Sequence, residues 1–165
     1  MNHPEQASAR DPARYSGSMQ IRPLNDAVAV APQITPGDIP AIKAAGYVAV
    51  INNRPDDEEP GQPSGEAIRA AVEAAGLAYH AVPVTGAGFG HAQLDAMADA
   101  LTAADGPVLA YCRSGTQSCN LWALAAAKAG RDPGLLVAQG AAAGYDLRPI
   151  GPTLDALAAE AKPRS

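Results

Sequence analysis

The residues with the clearest chemical potential form one short stretch, Tyr-Cys-Arg-Ser-Gly-Thr-Gln-Ser, at positions 111–118. The apolar run Val108 to Tyr111 predicts a short buried strand before Cys112, and the pattern from Ser118 predicts a helix after it. Backbone N–H groups at such a helix start point at a bound anion, and the same field favours a thiolate over a thiol. The stretch therefore predicts that Cys112 is a nucleophile held in an anion-binding loop.

The neighbours of Cys112 suit this function. Gly115 permits a tight backbone turn, and the hydroxyls of Ser114, Thr116 and Ser118 can donate to the sulfur or to an anion. We therefore predict an anion-binding set made of Arg113, Ser114, Gly115, Thr116, Gln117 and Ser118, joined by Arg54 from another loop. The second cysteine, Cys119, lies inside the predicted helix and is expected to be a packed core thiol.

Apolar runs that alternate with helical patterns indicate how the loop is positioned. Strands are expected at 27–31, 47–51, 77–84 and 108–111, and helices at 35–45, 64–75, 94–101, 118–129, 135–142 and 153–161. This order predicts a three-layer α/β domain with a mainly parallel central sheet and helices on both faces. Because ligands bind at the carboxyl ends of parallel strands, Asn53-Arg54, the glycine-rich loop Thr85–Gly90 and Cys112 are expected to converge there.

Composition sets broader bounds. The 165 residues carry a formal charge of -5 and no basic cluster, which argues against binding to nucleic acid or to an anionic membrane. Residues 1–19 are expected to be a disordered tail before a single catalytic domain over 20–165. No signal sequence or membrane span is apparent, so we expect a cytoplasmic protein with free thiols. The sequence does not indicate an oligomeric state, a cofactor or a metal site.

Two segments carry a resemblance to a known family. The runs ITPGDIPAIKAAGYVAVINNRPDDEEPGQPS and PVLAYCRSGTQSCNLWALA resemble, in order and spacing, the DUF442 phosphatase-like domains found alone or fused to beta-lactamase-like hydrolases. The resemblance covers about residues 20 to 130. It implies a cysteine-phosphatase-like fold and a small anionic substrate such as a phosphate ester. The loop itself is also similar to that of rhodaneses, which implies thiosulfate or a persulfide as the alternative substrate.

The loop departs from the phosphatase pattern at two points. Ser118 stands where cysteine phosphatases place an Arg that grips the phosphoryl oxygens, and Gln117 stands where DUF442 domains usually have Arg. The expected acid-bearing loop contains no carboxylate, so His91 and Asp95 are the nearest candidates for a general acid. We predict a phosphatase-like hydrolase. The alternatives are a rhodanese-like sulfurtransferase that carries a Cys112 persulfide, and a non-catalytic anion-binding regulatory module.

Overall fold

A sheet of five short strands forms the centre of the molecule in a computed structural model that describes residues 20–85 and 89–161. The strands are β1 (Arg22–Pro23), β2 (Val28–Ala31), β3 (Ala49–Asn52), β4 (Ala78–Ala81) and β5 (Val108–Tyr111). Their order across the sheet is β1-β2-β5-β3-β4, with β1 antiparallel to β2 and all other pairs parallel. The predicted mainly parallel sheet is confirmed. The predicted tail, residues 1–19, lies outside the described residues, and the domain boundary at residue 20 stays a prediction.

Six helices accompany the sheet within the described residues. They are α1 (Ile39–Ala44), α2 (Gly65–Ala74), α3 (His91–Ala103), α4 (Thr116–Lys128), α5 (Pro133–Ala142) and α6 (Gly151–Ala161). Short 3₁₀ turns at Pro36–Asp38 and Arg148–Ile150 precede α1 and α6. Side chains fix two of the starts, since Ser64 accepts the N–H of Ala67 at 3.1 Å and Asp132 accepts that of Leu135 at 3.0 Å. No described helix is long and apolar enough to cross a membrane.

The helices pack as two layers on opposite faces of the sheet. Successive side chains of a strand point to opposite faces, so Val28 and Val30 pack with α3, α4, α5 and α6, while Ala29 and Ala31 pack with α1 and α2. All four residues of β5 are buried, as expected of a strand covered on both faces. The three-layer α/β architecture predicted from the sequence is therefore confirmed.

Strand β4 is shorter than the predicted strand over 77–84. It lies at one edge of the sheet and ends at Ala81, two residues before Pro83, which has no N–H to donate. Two further bonds keep the chain beside β3, because the N–H groups of Val82 and Val84 donate to Asn52 and Asn53 at 2.9 and 3.0 Å. These bonds hold the following loop at the carboxyl edge of the sheet.

Candidate active site

Cys112 lies at the centre of the carboxyl edge of the sheet. It directly follows β5, the strand between β2 and β3, and its N–H donates to the Ala31 carbonyl at 3.3 Å. On the other side the N–H of Asn53 donates to the Tyr111 carbonyl at 2.8 Å. The side chain of Cys112 is buried, with 3% of its surface exposed. The predicted placement of this cysteine between a buried strand and a helix is confirmed.

The turn after Cys112 aims backbone donors at the sulfur. Gly115 has φ 90°, a conformation that favours glycine, and its N–H donates to Cys112 Sγ at 3.1 Å. Helix α4 begins at Thr116, two residues earlier than predicted. Among the described residues, the N–H groups of Gln117 and Ser118 have no protein acceptor, as is usual in a first helical turn. Both N–H groups are therefore available to donate hydrogen bonds to an anion bound beside the thiol.

The hydroxyls of the loop are engaged with one another. Ser114 Oγ donates to Thr116 Oγ1 at 3.1 Å and accepts the N–H of Thr116 at 3.4 Å. Neither hydroxyl donates to Cys112 Sγ, whose backbone donor is Gly115. The backbone thus supplies the donor to the sulfur, and the predicted contact of Ser114 and Thr116 with an anion stays a prediction.

Ser118 faces the protein interior. It is fully buried, and its Oγ donates to Asn53 Oδ1 at 2.7 Å, while Asn53 Nδ2 donates to the Val82 carbonyl at 2.9 Å. This chain of bonds ties the start of α4 to the ends of β3 and β4. The Ser118 hydroxyl therefore donates to Asn53, and anion binding by Ser118 stays a prediction that its backbone N–H can still meet. Gln117, the preceding residue, is exposed.

Arg54 is buried, and its guanidinium donates hydrogen bonds to three protein acceptors. Its Nε donates to Glu58 at 2.7 Å, its Nη1 to Gln33 Oε1 at 3.0 Å and its Nη2 to Glu59 at 2.8 Å. Burial by itself lowers the Arg54 pKa, but the hydrogen bonds and charges of Glu58 and Glu59 raise it above its ordinary value. The guanidinium therefore organises its own acidic loop, and the role of Arg54 as an anion ligand stays a prediction.

Glu59 also reaches the cysteine loop. Its second oxygen lies 2.8 Å from Nη2 of Arg113, whose side chain is 67% exposed. One carboxylate thus bridges a buried arginine and the arginine that follows Cys112. The two guanidinium charges are balanced by Glu58 and Glu59. Gln33 joins the same cluster, because its N–H donates to the Arg113 carbonyl at 3.2 Å.

The two predicted proton donors, His91 and Asp95, share one partner. Lys128 Nζ is 2.7 Å from Asp95 Oδ1 and 3.0 Å from His91 Nδ1. Lys128 is the last residue of α4, and a 13-residue helix rises about 18 Å from its first residue to its last. His91 and Asp95 are therefore both engaged with the side chain of the last residue of α4. A role for either one as general acid at this loop stays a prediction.

The glycine-rich loop is only partly described. Thr85 follows Val84, whose N–H is bonded to Asn53 at 3.0 Å, so the loop begins at the same edge as Cys112. Residues 86–88 lie outside the described part of the chain, and the convergence of the whole loop stays a prediction. In residues 20–85 and 89–161, no group of three or more His, Cys, Asp and Glu side chains could hold a metal ion.

Cys119 has a different environment from Cys112. Its side chain is fully buried among the residues that cover one face of the sheet, and both cysteines are free thiols. Burial, and secondarily the charge of Cys112, raises the pKa of Cys119 to about 12. Cys119 is therefore a neutral core thiol at physiological pH, as its position in the helix predicted.

Comparison with known proteins gives a consistent family match. The model of the phosphatase-like domain of beta-lactamase hydrolase-like proteins matches residues 20–129. The beta-lactamase hydrolase-like protein of Agrobacterium fabrum is 38% identical over 108 residues, which cover 66% of this chain and 25% of the relative. That of Xylella fastidiosa is 38% identical over 130 residues, which cover 78% of this chain and 30% of the relative. The chain thus spans a quarter to a third of the length of these relatives.

Solved structures show the same fold. A candidate phosphatase from Neisseria meningitidis has a TM-score of 0.73 and 33% identity, over 83% of this chain and 97% of that one. The protein PTPMT1 has a TM-score of 0.62 and 12% identity, over 85% of this chain and 99% of that one. Tk-PTP in its active form has a TM-score of 0.60 and 15% identity, over 84% and 96%. The predicted cysteine-phosphatase-like fold is confirmed.

Proposed function

Because this chain belongs to the family of phosphatase-like domains of beta-lactamase hydrolase-like proteins, we propose that it is a phosphatase-like hydrolase whose nucleophile is the Cys112 thiolate. The observation that carries this proposal is the 3.1 Å contact from the Gly115 N–H to Cys112 Sγ at the start of α4. A backbone donor and a helix N-terminus both stabilise negative charge on sulfur. Cys119 offers no competing nucleophile, because it is a neutral thiol in the core.

The reaction that suits this arrangement has two steps. The Cys112 thiolate attacks the phosphorus of a phosphate monoester, forming an S–P bond as the P–O bond to the leaving group breaks. The leaving oxygen takes a proton from water. A second water then attacks the phosphocysteine, which breaks the S–P bond, releases inorganic phosphate and restores the thiolate.

Backbone groups supply the proposed oxyanion contacts. The N–H groups of Gln117 and Ser118 lie in the first turn of α4, where the helix dipole also favours an anion. The side chains add little positive charge, because Arg113 and Arg54 are paired with Glu59 and Glu58. Phosphoryl binding is therefore expected to depend on the backbone and to be weak.

The proposed proton source for the leaving group restricts the substrates. His91 and Asp95 bond to Lys128 at the other end of α4, so water is the proposed proton source for the leaving group. Esters with acidic leaving groups need this proton least. We therefore propose aryl phosphate monoesters as the substrate class. One structural neighbour, P. aeruginosa TpbA, was solved in complex with phosphotyrosine, an aryl ester.

Sulfur transfer is the second candidate function. The observation that favours it is the pairing of both arginines with acidic residues, which leaves no free guanidinium described beside Cys112. A persulfide requires neither a phosphoryl clamp nor a proton donor. In this reaction the Cys112 thiolate attacks the outer sulfur of thiosulfate, forms an S–S bond and releases sulfite. An acceptor thiolate then takes the transferred sulfur and releases Cys112.

Steady-state kinetics separate the two candidates. Hydrolysis of p-nitrophenyl phosphate and transfer of sulfur from thiosulfate to a thiol acceptor are measured for the wild type, Cys112→Ser and Cys119→Ala. The proposal predicts aryl phosphate hydrolysis by the wild type and by Cys119→Ala, and none by Cys112→Ser.

Sulfur transfer without hydrolysis, lost in the same Cys112→Ser variant, would favour the second candidate. Hydrolysis at the wild-type rate by Cys112→Ser would contradict the first candidate, and sulfur transfer at the wild-type rate by the same variant would contradict the second. Cys119→Ala is the matched control, since it removes the other thiol and leaves the loop intact.

A further inference from the structure

Tyr145 contacts the cysteine loop from a part of the chain beyond the family match, which ends at residue 129. It lies between α5 and the 3₁₀ turn at Arg148–Ile150, and its hydroxyl donates to the Ser114 carbonyl at 3.2 Å. That carbonyl belongs to the same peptide group as the Gly115 N–H, which donates to Cys112 Sγ at 3.1 Å. Tyr145 and Cys112 therefore hold opposite ends of one planar peptide group.

The contact with Gly115 is close. A Cβ atom built on Gly115 would lie 2.2 Å from the Tyr145 hydroxyl oxygen, so a larger residue cannot occupy this position without moving the tyrosine. With standard backbone dimensions, the hydroxyl oxygen lies within about 9 Å of Cys112 Sγ. Glycine at position 115 therefore permits the left-handed turn and also leaves space for the Tyr145 hydroxyl.

Tyr145 is itself fixed from two sides. Its N–H donates to the Gly140 carbonyl at 2.8 Å. The guanidinium of Arg22 lies 5.9 Å from the centre of its ring and donates to the Ala143 carbonyl at 3.1 Å. Burial raises the pKa of Tyr145 to about 12, an effect that outweighs the opposing charge of Arg22. The phenol therefore keeps its proton and remains a donor at physiological pH.

We propose that Tyr145 is a positioning residue for the nucleophile, which holds the Ser114–Gly115 peptide group so that its N–H stays aimed at Cys112. A donor on the carbonyl end of a peptide group also polarises its N–H end. Both effects favour the thiolate. This inference rests on the proposed role of Cys112 as the nucleophile.

The test compares Tyr145→Phe with the wild type in the rate of Cys112 alkylation by iodoacetamide, followed from pH 5 to pH 9 by intact mass. Phenylalanine keeps the ring and its packing and removes only the donor. We expect alkylation at pH 7 to be about three- to ten-fold slower, in line with one hydrogen bond, and the rise of rate with pH to move to higher pH. Tyr79→Phe is the matched control, because it removes a hydroxyl that bonds to Asn52 Nδ2 at 3.0 Å.

An unchanged rate and pH profile in Tyr145→Phe would overturn the inference. An equal loss in Tyr79→Phe would also overturn it, because the effect would then be one of general stability. Alkylation needs no substrate, so the result is independent of which group Cys112 transfers. If the wild type hydrolyses no phosphate ester but Tyr145→Phe still slows alkylation, the proposed function fails and the positioning role stands.

Discussion

Substitution of Glu59 by Gln is expected to strengthen anion binding at the cysteine loop. The Glu59 carboxylate lies 2.8 Å from Nη2 of Arg54 and 2.8 Å from Nη2 of Arg113. Glutamine keeps the length and the polar oxygen of the side chain but removes its charge. Arg113, whose side chain is 67% exposed, is then free to turn toward an anion bound beside Cys112.

The size of the effect follows from the charges. The Arg113–Glu59 pair is solvent-exposed, and such pairs contribute only about 0.2–1 kcal/mol to stability. Buried Arg54 loses the charge of Glu59 but keeps Glu58 and the side-chain oxygen of the introduced glutamine as acceptors, so the fold should tolerate the change. One unit charge and a divalent anion about 8 Å apart in water interact by about 1 kcal/mol. Removal of the Glu59 charge should therefore tighten the binding of inorganic phosphate by about five-fold at low salt, and by less at high salt because of screening.

Protection of Cys112 from iodoacetamide by inorganic phosphate measures this binding. The apparent Kd is compared between the wild type and Glu59→Gln at two ionic strengths. Glu73→Gln is the matched control, because it makes the same charge change at a residue paired with Arg69 on α2. Equal Kd values for Glu59→Gln and the wild type at low salt would refute the reasoning that Glu59 neutralises the site.

Three further predictions concern the loop and its support. Gln117→Arg should raise kcat/KM for aryl phosphates at least about ten-fold, since Arg can grip the phosphoryl oxygens bidentately; no gain would show that a missing clamp is not what limits hydrolysis. Ser118→Ala should lower the free energy of unfolding in urea by about 1–3 kcal/mol, because it leaves the buried Asn53 Oδ1 without its 2.7 Å donor; an unchanged midpoint would contradict this. A folded pKa of about 12 for Cys119 lies above its ordinary value near 9, so the folded state binds the proton more tightly. The stabilisation that comes from the Cys119 proton is complete below pH 9. Between pH 9 and 12 the free energy of unfolding should fall by up to about 1.4 kcal/mol per pH unit. The free energy of unfolding of Cys119→Ala should not show this decrease at alkaline pH. The same dependence on pH in the variant and the wild type would contradict the raised pKa of Cys119.

The fold was predictable because its strands and helices are marked locally. The three central strands β2, β3 and β5 lie in short apolar runs between Gly, Pro or polar residues, and alternation of strands with helices indicates the layers. Strand β1 was missed, since its two residues are exposed and too few to show a period. The strand predicted over 77–84 was too long, because an apolar pattern does not reveal where pairing ends.

The candidate site was predictable only in its local part. The position of Cys112 follows from the strand before it and the helix after it. The partners of Ser118 and Arg113 do not follow in this way, because Ser118 bonds to Asn53, 65 residues away in sequence, and Arg113 pairs with Glu59. The acidic residues that follow Arg54 did indicate its partners, because they lie in the same loop and carry the opposite charge. Nothing in the sequence near the cysteine pointed to Gln33.

Covalent trapping of Cys112 tests the central claim most directly. The wild type and Cys112→Ser are mixed with an aryl phosphate or with thiosulfate, quenched in acid within the first turnover and measured by intact mass. The wild type is predicted to gain the mass of one phosphoryl group, localised to Cys112, and Cys112→Ser to gain none. A gain of one sulfur atom from thiosulfate would instead assign sulfur transfer to the same residue. If the substrates are consumed while Cys112 stays unmodified, or if Cys112→Ser gains the same mass, the claim that this thiolate is the nucleophile is contradicted.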